Sequence, residues 1–137
     1  MFKLDQKLIG FITLFENLTR AKVKDAFFDQ KDRVVFIVNE GDAGKAIGKY
    51  GSNIKRISNM IKKNIKIIEF NGNVIEFIKS IVDPIKADSY ELKDNIVIIK
   101  SKDLHTKAVL IGRDRRNLIE LNSLVKRYFN NIEVKVG

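Results

Sequence analysis

A basic run in the first half of the chain, "GKAIGKYGSNIKRI" from Gly44 to Ile57, holds the residues best suited to chemistry. Gly48 and Gly51 stand three apart around Lys49 and Tyr50, and no acidic residue occurs from Ala43 to Ile68. Glycine has no Cβ, so its main chain can come close to a phosphate. A helix starting just after the pair would add free N–H groups and the positive end of its dipole. Lys49 adds a charge between the glycines. The chemistry read from these residues is the non-covalent holding of a phosphate-bearing partner.

Other chemistries lack their residues. "GKAIGK" has the wrong spacing for a nucleotide-binding P-loop, and Tyr50 stands where Ser or Thr would bind magnesium. His105 is the only histidine, which leaves no histidine metal cluster and no Ser-His triad; it reads as a solvated helix residue. The chain has no cysteine, so disulfides and thiolate chemistry are excluded. The carboxylates are scattered, and Asp29 and Asp32 lie near a turn instead of forming a catalytic pair. No catalytic residue, cofactor or metal is expected.

The composition agrees with a binding protein. The chain has 137 residues, 45% hydrophobic and 31% charged, which is a globular balance. Its formal charge is +9, with a sequence pI near 9.8, which favours a polyanion, nucleic acid ahead of a membrane surface. No stretch approaches the roughly 20 apolar residues of a membrane span. The apolar start, "MFKLDQKLIGFITLF", is interrupted by Asp5 and Lys7 and reads as a core helix, not a signal peptide. The absence of cysteine suits a reducing cytoplasm, the expected location.

The elements that position the glycine pair follow from the periodicities. Residues 3–17 read as an amphipathic helix with Leu4, Leu8, Phe11, Ile12 and Phe15 on one stripe. "KVKDAFFD" and "DRVVFIVN" read as a hairpin turning at Gln30 to Asp32. Phe27, Phe28, Phe36 and Phe70 are assigned to core packing. A short helix from Asp42 to Ile47 is stopped by Gly48. Ser52 is expected to cap a second helix to about Ile61, with Ile54, Ile57, Met60 and Ile61 inward and Lys55, Arg56, Lys62 and Lys63 outward. Lys62, Lys63 and Lys66 read either as phosphate contacts or as solubilising charge. "KIIEF" is a strand. "GDAG", Gly41 to Gly44, repeats the glycine spacing and reads as a loop.

The second half repeats this order. "NVIEFIKSIV" is a helix ending before Pro84, "IKADSYEL" and "NIVIIK" are strands around a turn at Lys93-Asp94, "DLHTKAVLI" and "RNLIELNSLVKRYF" are helices, and "IEVKV" is a strand. "AIGKYGSNIKRI" aligns with "LIGRDRRNLIEL" at an offset of 64, which places Gly48 on Gly112, Asn53 on Asn117 and Ile57 on Leu121. One offset with the same element order is an internal duplication. The boundary falls at "FNGN", giving domains 1–72 and 73–137.

A short helix, a Gly-X-X-Gly loop and a second helix, repeated in tandem, resemble KH domains. The order helix-strand-strand-helix-helix-strand looks like their type II form. The resemblance implies an α+β fold of two tandem domains, each a three-stranded sheet with helices on one face. It also implies that the loop clamps the backbone of a four-nucleotide single strand. The bases would then enter an apolar groove between the first helix of the pair and the facing strand. Together with the joint "EFIKSIVDPIKADSYEL", the two modules resemble the short archaeal NusA-like transcription factors. That likeness implies single-stranded RNA binding in transcription elongation, termination or antitermination.

Carried onto this chain, the RNA-binding residues are Ile47, Gly48, Lys49, Tyr50, Gly51, Asn53, Lys55 and Arg56 in the first half. In the second half they are Gly112, Arg113, Arg115 and Arg116. Here the sequence departs from the pattern: the loop is "GRDR", with Arg115 in place of the second glycine and Asp114 opposing phosphate. Its arginines suit phosphate, so this loop either binds by side-chain charge or is a structural partner that has lost binding. The expected protein is a monomer whose partner is single-stranded RNA, with RNA polymerase as a further candidate and no membrane. The alternatives are a ribosomal or ribosome-biogenesis KH protein and a module docking on RNA polymerase.

Overall fold

The computed structural model describes residues 6–137. The chain divides between Asn71 and Gly72 into two compact units. The first contains α1 (Gln6–Thr19), β1 (Val23–Phe28), β2 (Val34–Val38), α2 (Ala43–Ile47), α3 (Ser52–Ile61) and β3 (Ile65–Glu69). The second contains α4 (Val74–Val82), β4 (Ser89–Lys93), β5 (Ile96–Lys100), α5 (Leu104–Ile111), α6 (Arg116–Tyr128) and β6 (Glu133–Val136). A single 3₁₀ turn joins the paired helices in each unit, Lys49–Gly51 and Arg113–Arg115.

Each unit has one three-stranded sheet, ordered β1-β2-β3 or β4-β5-β6. The first pair is antiparallel and the second parallel, with Val34 opposite Ile65 and Ile96 opposite Glu133. A parallel pair needs a crossover connection, and the helix-loop-helix supplies it. The glycine loop therefore hangs at the turn of a crossover whose two ends are fixed in one sheet.

The cores follow the predicted stripes. In the first unit Leu8 and Phe15 of α1, Ala26, Val34, Phe36 and Val38 of the sheet, Ala46 of α2 and Ile57 of α3 are buried together. Phe15 stacks on Phe36 with centroids 4.2 Å apart. β2 is buried along its whole length, as expected of a central strand. The second unit repeats the scheme with Val74, Ile78, Val97, Ile99, Leu110, Leu118, Leu121, Val125 and Val134.

Local polar bonds fix the element ends. Asp29 closes the first hairpin by accepting from the N–H groups of Lys31 and Arg33, both at 2.9 Å, and from Arg33 Nε at 2.7 Å. Asn73 caps α4 by accepting from Ile75 N and Glu76 N, and Asp103 caps α5 by accepting from His105 N. His105 is exposed on α5.

Several expectations are corrected. α1 runs on to Thr19, whose Oγ1 donates to Phe15 O at 2.8 Å and closes the last turn; Leu4 lies outside the described residues. Ser52 is not a cap. Gly51 takes the left-handed cap position and Ser52 is already helical, with no side-chain cap bond. Met60 leaves the α3 stripe and is 52% exposed, because Ile57 and Ile61 already fill the core side. The second hairpin turns at Asp94-Asn95, one residue later than predicted. Both residues have positive φ, as a tight two-residue turn between twisted strands requires. "GDAG" is a loop only at its start, since Ala43 and Gly44 open α2.

Candidate nucleic-acid interface

The loop of the first unit is held from behind. α2 ends at Gly48, whose N–H donates to Gly44 O at 2.9 Å, and Gly51 N donates to Gly48 O at 3.1 Å. Asn53 Nδ2 donates to Lys45 O at 2.8 Å, tying the start of α3 to the last turn of α2. At its other end α2 is anchored to the sheet, since Glu69 of β3 accepts from Gly41 N at 2.8 Å and Ala43 N at 3.3 Å.

The two glycines answer different demands. Gly48 has φ 76° and ψ 168°, a region open essentially to glycine alone. A Cβ there would also lie 2.8 Å from Asn53 Cγ, 2.8 Å from Ser52 Oγ and 2.9 Å from Asn53 N. Gly51 has φ 73° and ψ 17°, ordinary left-handed geometry, and a Cβ on it would meet nothing within 4 Å. Side chains can adopt that conformation at a cost of about 1–2 kcal/mol.

The second loop uses the same backbone. Gly112 has φ 77° and ψ 167°, Asp114 φ 54° and ψ 29°, and Arg115 φ 63° and ψ 18°. In the first loop Tyr50 has φ 58° and ψ 28°. The bonds match too: Gly112 N donates to Ala108 O at 2.8 Å, Arg115 N to Gly112 O at 3.1 Å, and Asn117 Nδ2 to Val109 O at 2.7 Å. A Cβ on Gly112 would meet Asn117 Cγ at 2.7 Å, the counterpart of the Gly48 clash. The glycine that packing demands is present in both loops, and the one replaced by arginine is needed only for its φ.

Both loops lead into helix N-termini without a side-chain cap, in contrast to α4 and α5. Neither α3 nor α6 has an acidic residue in its first turn. First-turn N–H groups with no capping side chain, beside cations, suit an external anion.

The side chains named from the sequence divide into two groups. Ile47, Lys49, Tyr50, Lys55 and Arg56 are exposed on or beside the first loop, as are Arg113, Arg115 and Arg116 on the second. Tyr50 is 87% exposed, with Lys49 Nζ 5.5 Å from its ring centroid, so the loop tip presents a ring and a cation together. Asn53 turns inward and positions the loop. Among the further lysines, Lys63 is turned to its own unit, 2.8 Å from Asp32 Oδ2 and 5.5 Å from the Phe28 centroid, whereas Lys62 is exposed at the end of α3.

The sequence named Arg115 but not Ile119, Ser123 and Lys126 of α6, which continue from it at helical spacing and line a cavity with it and Glu133. The offset of 64 was the available signal, because it sets these residues on Gly51, Lys55, Asn59 and Lys62, along and at the ends of α3. No group of three or more His, Cys, Asp or Glu among the described residues could hold a metal. No helix among them is long and apolar enough to cross a membrane.

A stretch of 53 residues is 49% identical to the probable transcription termination protein NusA of Methanococcus vannielii. It covers 39% of this chain and 30% of that protein. The crystal structure of APE1850 matches 98% of this chain and 100% of its own, with a TM-score of 0.70 at 24% identity, which is a likeness of fold. Residues 12–81, most of the first unit and the start of the second, match the KH domain family. With that match, the Gly-X-X-Gly loop and a three-stranded sheet in each unit in place, the chain belongs to the KH domain family.

Proposed function

We propose that this protein binds single-stranded RNA through both loops and acts on nascent transcripts during elongation and termination. The observation that carries this reading is the pair of matching loop backbones, each opening onto an uncapped helix N-terminus among exposed cations. A KH loop clamps four backbone nucleotides. In the first unit, Gly48 and Gly51 admit the phosphates, Lys49, Lys55 and Arg56 neutralise them, and Ile47 and Tyr50 border the bases. In the second, Gly112 keeps the turn open, and Arg113, Arg115 and Arg116 add phosphate donors to the same main-chain frame. The binding step involves no covalent chemistry. Each unit acts as one module, residues 1–72 and 73–137, in a cytoplasmic monomer that works beside RNA polymerase. The transcriptional role is supported by the likeness to an archaeal NusA over part of its length.

Two experiments test this. Sequencing RNA crosslinked to the protein in its own cells should recover nascent transcripts; recovery of ribosomal RNA alone would overturn the transcriptional role. For RNA binding itself, Gly51→Asp is the clean substitution, because that site has room for a side chain and a φ that Asp tolerates. The carboxylate would face phosphate, and affinity for short single-stranded RNA should fall at least tenfold with the fold intact. Unchanged affinity in the folded variant would remove the first loop from the interface.

A further inference from the structure

Gly72 carries neither of the demands that explain the loop glycines. Its φ is not positive, and a Cβ on it would meet nothing within 4 Å. Gly72 is exposed and follows half-buried Asn71, at the point where the chain passes from one compact unit to the next. Neither residue belongs to a helix or strand, since β3 ends at Glu69 and α4 begins at Val74. The pair has a reactivity of its own. The main-chain nitrogen after an asparagine can attack that asparagine's amide carbon, and a side chain on the following residue obstructs the approach. Glycine has no Cβ to obstruct it.

The other asparagines are worse placed. Of the twelve in the chain, only Asn71 and Asn122 precede a residue as small as glycine or serine. Asn122 is held at both ends of its amide. Its nitrogen donates to Leu118 O at 3.1 Å and Val134 O at 3.0 Å, and its oxygen accepts from Val134 N at 2.7 Å. Ser123 N also lies inside α6, whose hydrogen-bond ladder keeps it off the preceding side chain. Asn73 is followed by β-branched Val74, and its oxygen caps α4. Asn53 and Asn117 tie their helices to the preceding ones, and both precede bulky residues.

We propose that Asn71 is a site of spontaneous deamidation and the first asparagine of the folded chain to convert. Gly72 N loses its proton and bonds to Asn71 Cγ; the Cγ–Nδ2 bond breaks, and the amide nitrogen leaves as ammonia. Water then opens the cyclic imide at either carbonyl. Opening at Cγ gives aspartate with the peptide bond unchanged. Opening at the main-chain carbonyl gives isoaspartate, in which the chain runs through the side-chain carbon. Either product adds a carboxylate and takes the formal charge down by one, from +9 to +8. Isoaspartate also lengthens a short connection. Only Phe70, Asn71 and Gly72 separate Glu69, which holds α2, from Asn73, which caps α4. Asn71 and Gly72 each have a contact within the fold, so conversion is slower in the native chain than in the unfolded one.

The test incubates the full chain at mildly alkaline pH and follows each asparagine by peptide mass spectrometry. Isoaspartate is told from aspartate by carboxyl methylation with a protein isoaspartyl methyltransferase. Asn71 should convert before the other asparagines, to both products, at a rate that rises with pH and rises further in urea. Gly72→Ala fits both the space and the backbone. It should slow conversion of Asn71 roughly tenfold with the fold intact, the effect of one obstructing methyl on the barrier. Asn71→Gln, whose amide carbon is one bond farther from the attacking nitrogen, should abolish the early acidic variant on ion exchange. Conversion of Asn122 or any other asparagine ahead of Asn71 in the native chain would overturn the proposal. An unchanged rate in the Gly72→Ala variant would overturn it as well, because the glycine would then not be what makes the site reactive. If Asn71 converts only in urea, the fold protects the pair and the proposal fails.

Discussion

Gly48 and Gly51 look interchangeable in a Gly-X-X-Gly pattern, yet their replacement by alanine should have different consequences. Gly51→Ala places a methyl in open space and pays only for left-handed backbone, about 1 kcal/mol. Gly48→Ala forces a side chain into a glycine-only region, a strain of about 1–3 kcal/mol. Its Cβ also meets three atoms of Ser52 and Asn53 at under 3.0 Å. Two of these belong to Asn53, one of them main chain, so Asn53 must move and its bond to Lys45 O is lost, about 1 kcal/mol more. The sum is about 3 kcal/mol against about 1. For a domain of this size, 1 kcal/mol shifts the melting temperature by about 4–8 °C. Calorimetry of the full chain should show the first unit melting about 5 °C lower with Gly51→Ala and about 15 °C lower with Gly48→Ala. Equal shifts would refute the division between a glycine required by packing and one required by φ. Gly112→Ala should repeat the larger effect in the second unit, since Asn117 stands in the same place.

The remaining predictions concern charge and caps. Binding to single-stranded RNA should weaken with salt at roughly −0.7 in log–log slope per neutralised phosphate; a slope near zero in a salt titration would take the cations away from the interface. Arg115→Gly should leave stability within about 0.5 kcal/mol, because relief of left-handed strain is offset by the greater backbone entropy of unfolded glycine. The same change should lower affinity for longer RNAs and reduce the salt slope by less than one; an unchanged slope would mean that Arg115 does not meet phosphate. Asp103 is held below the usual carboxylate range, first by the Thr106 hydroxyl and then by the His105 N–H. A depressed folded pKa means that the cap's contribution is present above the unfolded value and lost as pH falls through the folded one. Asp103→Asn, which keeps an acceptor for His105 N, should therefore flatten the loss of stability below about pH 4; an unaltered acid limb in thermal melts would exclude this cap as a cause.

Much of the molecule was written in local spacing. The stripe of Leu8, Phe11, Ile12 and Phe15 specified α1, the β-branched run Val34–Val38 specified a buried strand, and Gly48 and Gly112 specified where two helices stop. The offset of 64 exposed the duplication, and with it the position of both loops. These features are legible because a residue's type and its neighbours along the chain decide them.

The rest depended on contacts between distant segments. Ser52 lost the cap role to Gly51 because the main chain turns left-handed one residue earlier, a choice enforced by Asn53 reaching back to Lys45 O. α2 is anchored by Glu69, a residue 26 positions beyond Ala43, which no window of sequence would pair with it. Above all, "GRDR" reads as a broken pattern, while its backbone matches the intact loop to about 10°. The sequence records the missing glycine, but only the tertiary structure separates the two demands on glycine, φ and space. A left-handed φ can be met by Arg115 at modest cost, whereas the space behind Gly112 is already filled by Asn117.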